Sequence, residues 1–175
     1  RYQPIVDLGN ASVSGVEVLI RWKDRNGDYI SPSEFVPMIE EIGLIQEVGE
    51  WVLEQSMLDI TEMSKQTPAS ASHSLSVGVN TSPRQLADPL FLQQLDAILD
   101  RTGFDRQRLR LEMNEVQDAR NGNNVRKTML ALAESGVKIQ IDDFGKGFAG
   151  LDRLFKIQPD LIKLDRCLIQ DIHKD

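Results

Sequence analysis

The sequence is poor in the residues that build zinc sites and disulfides, with one cysteine and two histidines among 175 residues. A lone cysteine, Cys167, cannot form an internal disulfide, which fits a reducing compartment and gives no support to a zinc site. No apolar run is long enough to cross a membrane. We therefore expect a cytoplasmic domain, although the full-length protein could be membrane-anchored elsewhere.

Positive charge is also in short supply, since 20 Lys and Arg face 27 Asp and Glu and the formal net charge is −7. This balance argues against a nucleic-acid polymer as partner, because such binding needs a broad basic surface. A small phosphate ligand needs only a local positive patch or a metal ion and stays compatible. Because the chain begins at Arg1 rather than Met, we expect a piece of a longer protein.

Predicted strands alternate with predicted helices along the chain. The patterns predict strands at 2–6, 13–22, 75–80, 109–113, 137–142 and 161–167, and helices from 31, at 46–64, from 82, at 123–135 and near 149–156. The helices that begin at Ser31 and Ser82 open with capping-box patterns. This alternation predicts a mainly parallel sheet with helices outside it.

The side chains of the third predicted strand divide sharply by face. One face is apolar and the other small or polar, with Leu75, Val77 and Val79 opposite Ser76, Gly78 and Asn80. The second and last predicted strands alternate in a similar way. Polar residues facing inward along several strands favour a barrel with a site at its mouth over a flat doubly wound sheet.

Acidic and amide side chains lie near the predicted strand ends: Glu17, Asn80, Glu112, Glu115, Asp142 and Asp143. Crowded carboxylates repel one another unless a cation neutralises them, and all-oxygen ligands suit Mg²⁺ or Mn²⁺. The Asp142-Asp143 pair could bridge two such ions, an arrangement that cleaves phosphodiesters. Taken singly, each residue is as well explained by a surface or turn position. The interpretation depends on the joint pattern.

Several motifs occur in one order along the chain: Tyr2-Gln3-Pro4-Ile5-Val6, Glu17-Val18-Leu19-Ile20-Arg21, Asn80-Thr81-Ser82, Glu112-Met113-Asn114-Glu115, Asp142-Asp143-Phe144-Gly145 and Ile162-Lys163-Leu164-Asp165-Arg166. Over essentially its whole length the chain thus resembles the EAL domains, which bind and cleave cyclic di-GMP. The resemblance implies an α/β fold, a TIM-like barrel of mostly parallel strands. It also implies that residues 1–175 form one such domain, truncated at its C-terminus.

The resemblance implies a site for two divalent ions, Mg²⁺ or Mn²⁺. Glu17, Asn80, Glu112 and Asp142 would bind the first ion, and Asp142 and Asp143 would bind the second. Glu17 would thereby take part in catalysis. A further glutamate of the family would fall beyond the end of this segment, so we expect the segment alone to hydrolyse cyclic di-GMP poorly or not at all.

The remaining roles also follow from the resemblance. Lys163 would orient or activate the attacking water, and Gln3, Arg21 and Arg166 would contact the ligand. Glu115 would brace the loop after the aspartate pair. The implied reaction opens one phosphodiester of cyclic di-GMP to give linear pGpG.

Departures from the family pattern keep a second function open. Val18 replaces an alanine, Asn114 replaces a threonine, and Lys146 and residues 148–150 change the loop after the aspartate pair. In the family that loop couples metal binding to dimer contacts, so we expect a homodimer through this loop or through flanking signalling domains of the same protein. The alternative to a phosphodiesterase is a catalytically inactive cyclic di-GMP receptor that signals through a protein partner.

Overall fold

Strands alternate with helices in this computed structural model, which describes residues 1–65, 75–114, 122–145 and 158–170. The strands are β1 (Tyr2–Asp7), β2 (Ser12–Val18), β3 (Trp22–Lys23), β4 (Tyr29–Ile30), β5 (Ser76–Asn80), β6 (Leu109–Asn114), β7 (Lys138–Phe144) and β8 (Leu161–Leu164). The helices are α1 (Pro32–Glu41), α2 (Ile45–Lys65), α3 (Pro83–Leu86), α4 (Phe91–Thr102) and α5 (Gly122–Ser135), with 3₁₀ turns at Arg106–Arg108 and Arg166–Leu168. No helix within these ranges is both long and apolar enough to cross a membrane.

Six of the strands form one curled sheet in the order β1-β2-β5-β6-β7-β8. β1 is antiparallel to β2, and every other neighbouring pair is parallel. Three strands separate β2 from β8, yet Lys163 of β8 donates to a carboxylate oxygen of Glu17 of β2 over 2.7 Å. The sheet therefore bends through about half a barrel, which confirms the predicted barrel-like, mostly parallel architecture.

The two faces of the sheet differ as the strand patterns predict. The outer face carries the buried apolar side chains of the core, among them Val77, Val79, Leu109, Leu111, Ile139 and Ile141. Helices α2 and α4 pack together on this side, and α2 contacts β5 directly. The inner face carries small or polar residues, among them Ser76, Gly78, Glu112 and Gln140. Burial of the outer face stabilises the sheet and leaves the inner face for chemistry.

The second strand is shorter than predicted, because it ends at Val18 rather than at Trp22. Trp22 pairs instead with Ile30 in the β3–β4 hairpin, and its ring packs edge-on against Phe35 with 5.4 Å between centroids. The prediction that this strand continues to Trp22 is therefore wrong. The hairpin and the aromatic contact draw this segment out of the sheet.

The last strand also stops early, at Leu164 rather than residue 167. The carboxylate of Asp165 accepts the backbone N–H of Cys167 over 2.7 Å and so begins a 3₁₀ turn. Such local side-chain bonds compete with strand pairing.

The two predicted capping boxes have different outcomes. Ser82 Oγ accepts from the Gln85 N–H, and Gln85 Oε1 accepts from the Ser82 N–H over 2.9 Å, so the box before α3 is confirmed. Ser31 is the N-cap of α1, but its hydroxyl contacts that of Ser33 and forms no cap bond, so that box is wrong. The helix predicted near 149–156 lies outside the described residues.

Candidate metal and ligand site

Three carboxylates from three strands converge on the inner face of the curled sheet. Glu17 of β2, Glu112 of β6 and Asp142 of β7 each offer an oxygen, and these oxygens all lie within 4.8 Å of one another. Asn80 of β5 lies beside them, with its side-chain Nδ2 3.4 Å from Glu17 Oε1. Each of these residues lies at or near the carboxyl end of its strand, and the carboxyl ends of parallel strands meet at one edge of a sheet. The curl of the sheet then brings the separated strands close together.

Lys163 of β8 contacts all three carboxylates. Its ammonium donates to Glu17 Oε2 over 2.7 Å and to Glu112 Oε2, and it lies 3.6 Å from Asp142 Oδ2. Burial acts to lower the pKa of Lys163, but the contacts with Glu112 and Glu17 outweigh it, so the pKa is raised. The lysine is therefore held in its charged form among the acidic groups.

Glu112 is the most enclosed member of the group, with no solvent exposure. Its Oε2 meets Lys163, whereas its Oε1 is buried and has no hydrogen-bond partner among the described residues. Oε1 lies so close to Gly78 that a Cβ there would collide with it. Burial raises the pKa of Glu112, and the contact with Lys163 opposes that rise.

The residues present fit a divalent cation. An orphaned carboxylate oxygen in a buried position is costly without a partner, and a metal ion would satisfy it. Glu17, Glu112 and Asp142 supply only oxygen ligands, the donor set that Mg²⁺ and Mn²⁺ prefer. The arrangement can therefore hold one cation in the space among three carboxylates.

Asp143 follows Asp142 in an unusual backbone conformation. Its φ of 54° is left-handed, a region in which aspartate is tolerated better than most residues, and its N–H donates to Asp142 Oδ1 over 2.9 Å. The pairing register between β7 and β8 shifts at this point, between Ile141 and Phe144. Asp143 lines a cavity together with Asp142, but it is not one of the three converging carboxylates.

A cavity of about 430 Å³ opens beside the carboxylates. One end is polar and includes Asn80, Asn114 and the two aspartates that end β7. The apolar part of the lining, here called the apolar wall, comes from α1, α2 and the segment after β2, with Leu19, Pro32, Val36, Pro37, Val48 and Val52. A cavity of this size with one apolar wall and a few convergent polar groups is typical of small-ligand sites.

The residues predicted to bind the ligand differ in their position relative to the cavity. Arg21 lines the cavity, is exposed, and donates to the carbonyl of Ile20 over 2.8 Å. Gln3 pairs with Glu17 across β1 and β2, so its side chain shares the inner face. Arg166 is exposed in the turn after β8 and is not among the cavity-lining residues. Glu115 lies outside the described residues.

The apolar wall is the part of the site that the sequence patterns did not reveal. Val36 and Pro37 lie on α1, and Val48 and Val52 lie on α2, where a helical pattern predicts core packing equally well. The available signal was Pro37, a proline inside a helix that interrupts regular packing. Which helical faces border a cavity depends on how two helices pack, and periodicity does not encode this.

Comparisons with known proteins agree on one family. The family model described as "EAL domain" matches residues 1–175. The probable cyclic di-GMP phosphodiesterase PdeI of Escherichia coli is 34% identical over 171 residues, which is 98% of this chain and 22% of PdeI. The chain spans between about a fifth and a third of the length of the curated relatives it matches.

Solved structures of EAL proteins are also similar to this chain. The EAL enzyme Bd1971, in a form bound to cAMP and cyclic di-GMP, has a TM-score of 0.89 and 29% identity, covering 99% of this chain and 47% of that one. The PaMucR phosphodiesterase in complex with c-di-GMP has a TM-score of 0.84 and 31% identity, covering 99% of this chain and 69% of that one.

Proposed function

Because the chain belongs to the EAL domain family, we propose that it binds cyclic di-GMP in this cavity and hydrolyses one phosphodiester bond to give pGpG. The observation that carries the proposal is the convergence of Glu17, Glu112 and Asp142 at the polar end of the cavity, with Lys163 among them. Relatives and solved structures named for cyclic di-GMP chemistry support it.

Divalent metal ions, Mg²⁺ or Mn²⁺, complete the proposed site. Glu17, Glu112, Asp142 and the amide of Asn80 would hold one ion, and Asp142 with Asp143 would hold a second. Bound there, such ions supply a nucleophilic water at neutral pH and neutralise charge on the reacting phosphate. The buried Oε1 of Glu112 supports this proposal, because it is an unsatisfied oxygen in the donor set.

The chain's own residues would divide binding from chemistry. Arg21, at the cavity, would donate a charge-assisted hydrogen bond to a phosphate oxygen of the ligand. Gln3 and Arg166 would contact the ligand from β1 and from the turn after β8. Lys163 would position the attacking water and stabilise the negative charge that develops on the phosphoryl oxygens. The apolar wall would receive a guanine base and exclude water from one side of the site.

We also propose the assembly in which this domain works. The first curated relatives are about five times as long as the part that this chain matches, so signalling domains in the same protein are part of the proposal. A homodimer through the loop after Asp143, braced by Glu115, or through those domains is the proposed state. The proposed location of the domain is the cytoplasm.

The experiment is calorimetry of the full-length protein with cyclic di-GMP, paired with chromatography of the products. Cyclic di-GMP should bind with or without Mg²⁺ or Mn²⁺, and pGpG should form only when the metal is present. Binding without pGpG in either metal would instead identify a receptor. Absence of both binding and product would contradict the proposal altogether.

A further inference from the structure

Resting on the proposed metal-dependent function, we propose that Lys163 is a displaceable counter-ion of the metal site. Its ammonium would hold the three carboxylates together before a divalent cation arrives, and it would give up these contacts when the cation binds. Lys163 would therefore oppose the first step of loading the site, in addition to any part it takes in the reaction.

The contacts of Lys163 coincide with the candidate metal ligands. The residues that the ammonium meets, Glu17, Glu112 and Asp142, are the same three whose oxygens lie within 4.8 Å of one another. A cation bound by this trio would share its carboxylates with the lysine, which contacts Glu17 Oε2 over 2.7 Å, and would lie close to the ammonium. An ammonium and a metal ion repel one another at such separations, so both cannot keep the same contacts.

The carboxylates depend on this lysine for neutralisation. Within the ranges that the structure describes, no other lysine or arginine forms an ion pair with any of the three. Glu112 is fully buried, and the other two acids are each about 19% exposed, so water screens their mutual repulsion poorly. Without Lys163, three acidic groups would share one small space.

The lysine side chain is suited to moving aside. Its ammonium is a compact charge on a flexible four-carbon stem, unlike the rigid fork of arginine. The carboxylates, by contrast, come from strands of the sheet's interior, and Glu112 is packed against Gly78. Displacement would therefore change the position of the lysine more than that of the ligands.

Mutual exclusion has a measurable consequence, because coupling between two binders is reciprocal. If Lys163 stabilises the metal-free site and the cation replaces it, removing the lysine should destabilise the metal-free protein and tighten cation binding. Lys163→Met keeps the unbranched shape of the side chain, one atom shorter, and removes the charge. Lys138→Met is the matched control, since Lys138 lies on β7 four residues before Asp142, about 13 Å along the strand, and pairs with Asp160.

The experiment measures free Mn²⁺ by electron paramagnetic resonance and thermal unfolding with and without Mn²⁺, using the full-length protein. Lys163→Met should bind Mn²⁺ at least about tenfold more tightly than wild type, within the usual range of coupling between sites. Its melting temperature should be lower without metal, and Mn²⁺ should raise it by more than in wild type. Lys138→Met should match wild-type Mn²⁺ affinity.

A second measurement covers the case in which Lys163→Met fails to fold. In the wild-type protein, acylation of Lys163 followed by mass spectrometry should accelerate when Mn²⁺ is added, relative to Lys138. Unchanged labelling, or equal Mn²⁺ affinity in the two methionine variants and wild type, would overturn the counter-ion proposal while leaving the proposed function intact. Absence of Mn²⁺ binding in every protein would overturn the metal site itself and this inference with it.

Discussion

Glu112→Gln separates what the site needs for chemistry from what the fold needs for stability. The substitution keeps the size of the side chain, and an amide oxygen can still accept from Lys163, so the buried position stays filled. It removes one negative charge from the proposed metal ligands. A unit charge about 4 Å from another is worth about 4 kcal/mol at the effective dielectric of protein sites. We therefore expect Mn²⁺ affinity to fall at least roughly a thousandfold.

Whereas Glu112→Gln should weaken Mn²⁺ binding, it should increase the stability of the metal-free protein at high pH relative to wild type. Burial raises the pKa of Glu112, Lys163 opposes the rise, and Glu17 and Asp142 add to it. A carboxyl whose pKa is raised on folding stabilises the protein below its unfolded pKa of about 4.3, and this contribution is lost as pH rises through the folded value. Glutamine does not titrate. The unfolding free energy of Glu112→Gln relative to wild type should therefore be higher at pH 8 than at pH 4.

Two measurements test this reasoning. Titration with Mn²⁺, read by electron paramagnetic resonance, gives the affinity, and urea denaturation at pH 4 and pH 8 without metal gives the stability. Glu54→Gln is the control, because Glu54 pairs with Arg101 on the surface and should leave Mn²⁺ affinity unchanged. Mn²⁺ affinity within tenfold of wild type in Glu112→Gln would refute the assignment of Glu112 as a ligand.

Five further substitutions test other parts of the structure. Glu17→Ala should abolish pGpG release while sparing cyclic di-GMP binding, whereas Arg21→Ala should weaken binding measured by calorimetry; equal losses of affinity would mean that Glu17 mainly supports the fold. Asp160→Asn should lower the free energy of unfolding by about 1 kcal/mol at pH 7 in urea denaturation. Burial acts to raise the pKa of Asp160, but its hydrogen bonds outweigh burial and lower it. The carboxylate therefore stabilises the fold above its unfolded pKa, and the difference between the variant and wild type should shrink at pH 3. Ser82→Ala should lower the free energy of unfolding by about 1 kcal/mol, and Ser31→Ala should lower it by less than about 0.5 kcal/mol. The reason is that, of these two N-cap serines, only Ser82 accepts a hydrogen bond through its side chain.

The sheet and its polar face were predictable because alternation along a strand has a direct structural meaning. Side chains of period two point to opposite faces, so Val77 and Val79 had to face the helices if Gly78 and Asn80 faced inward. Position near the predicted strand ends, rather than alternation, placed Glu112 and Asp142 on one rim. Reasoning from alternation failed after Val18, where the alternating pattern persists but strand pairing does not. Alternation alone does not show where a strand loses its neighbour.

The cavity wall could not be predicted by the same means. Val36 and Val48 belong to helices whose apolar stripes would look alike whether they packed on the sheet or left a gap. The gap arises between α1 and α2, so it depends on the angle of two helices rather than on either sequence. The contact between Lys163 and Glu17 was also beyond sequence reasoning, because it depends on how far the sheet curls.

Two features that are unfavourable for folding lie at the proposed site. Glu112 keeps an unsatisfied buried oxygen, and Asp143 holds a left-handed backbone conformation. Each costs free energy, and neither contributes to the apolar core on the other face of the sheet. Similar features occur elsewhere in the described chain, since Ser64 and Arg108 also have buried side-chain atoms without a hydrogen-bond partner and Ala11 also has a positive φ. What distinguishes Glu112 is that its unsatisfied oxygen belongs to a group of three converging carboxylates, and a cation bound among them would turn that oxygen into a ligand.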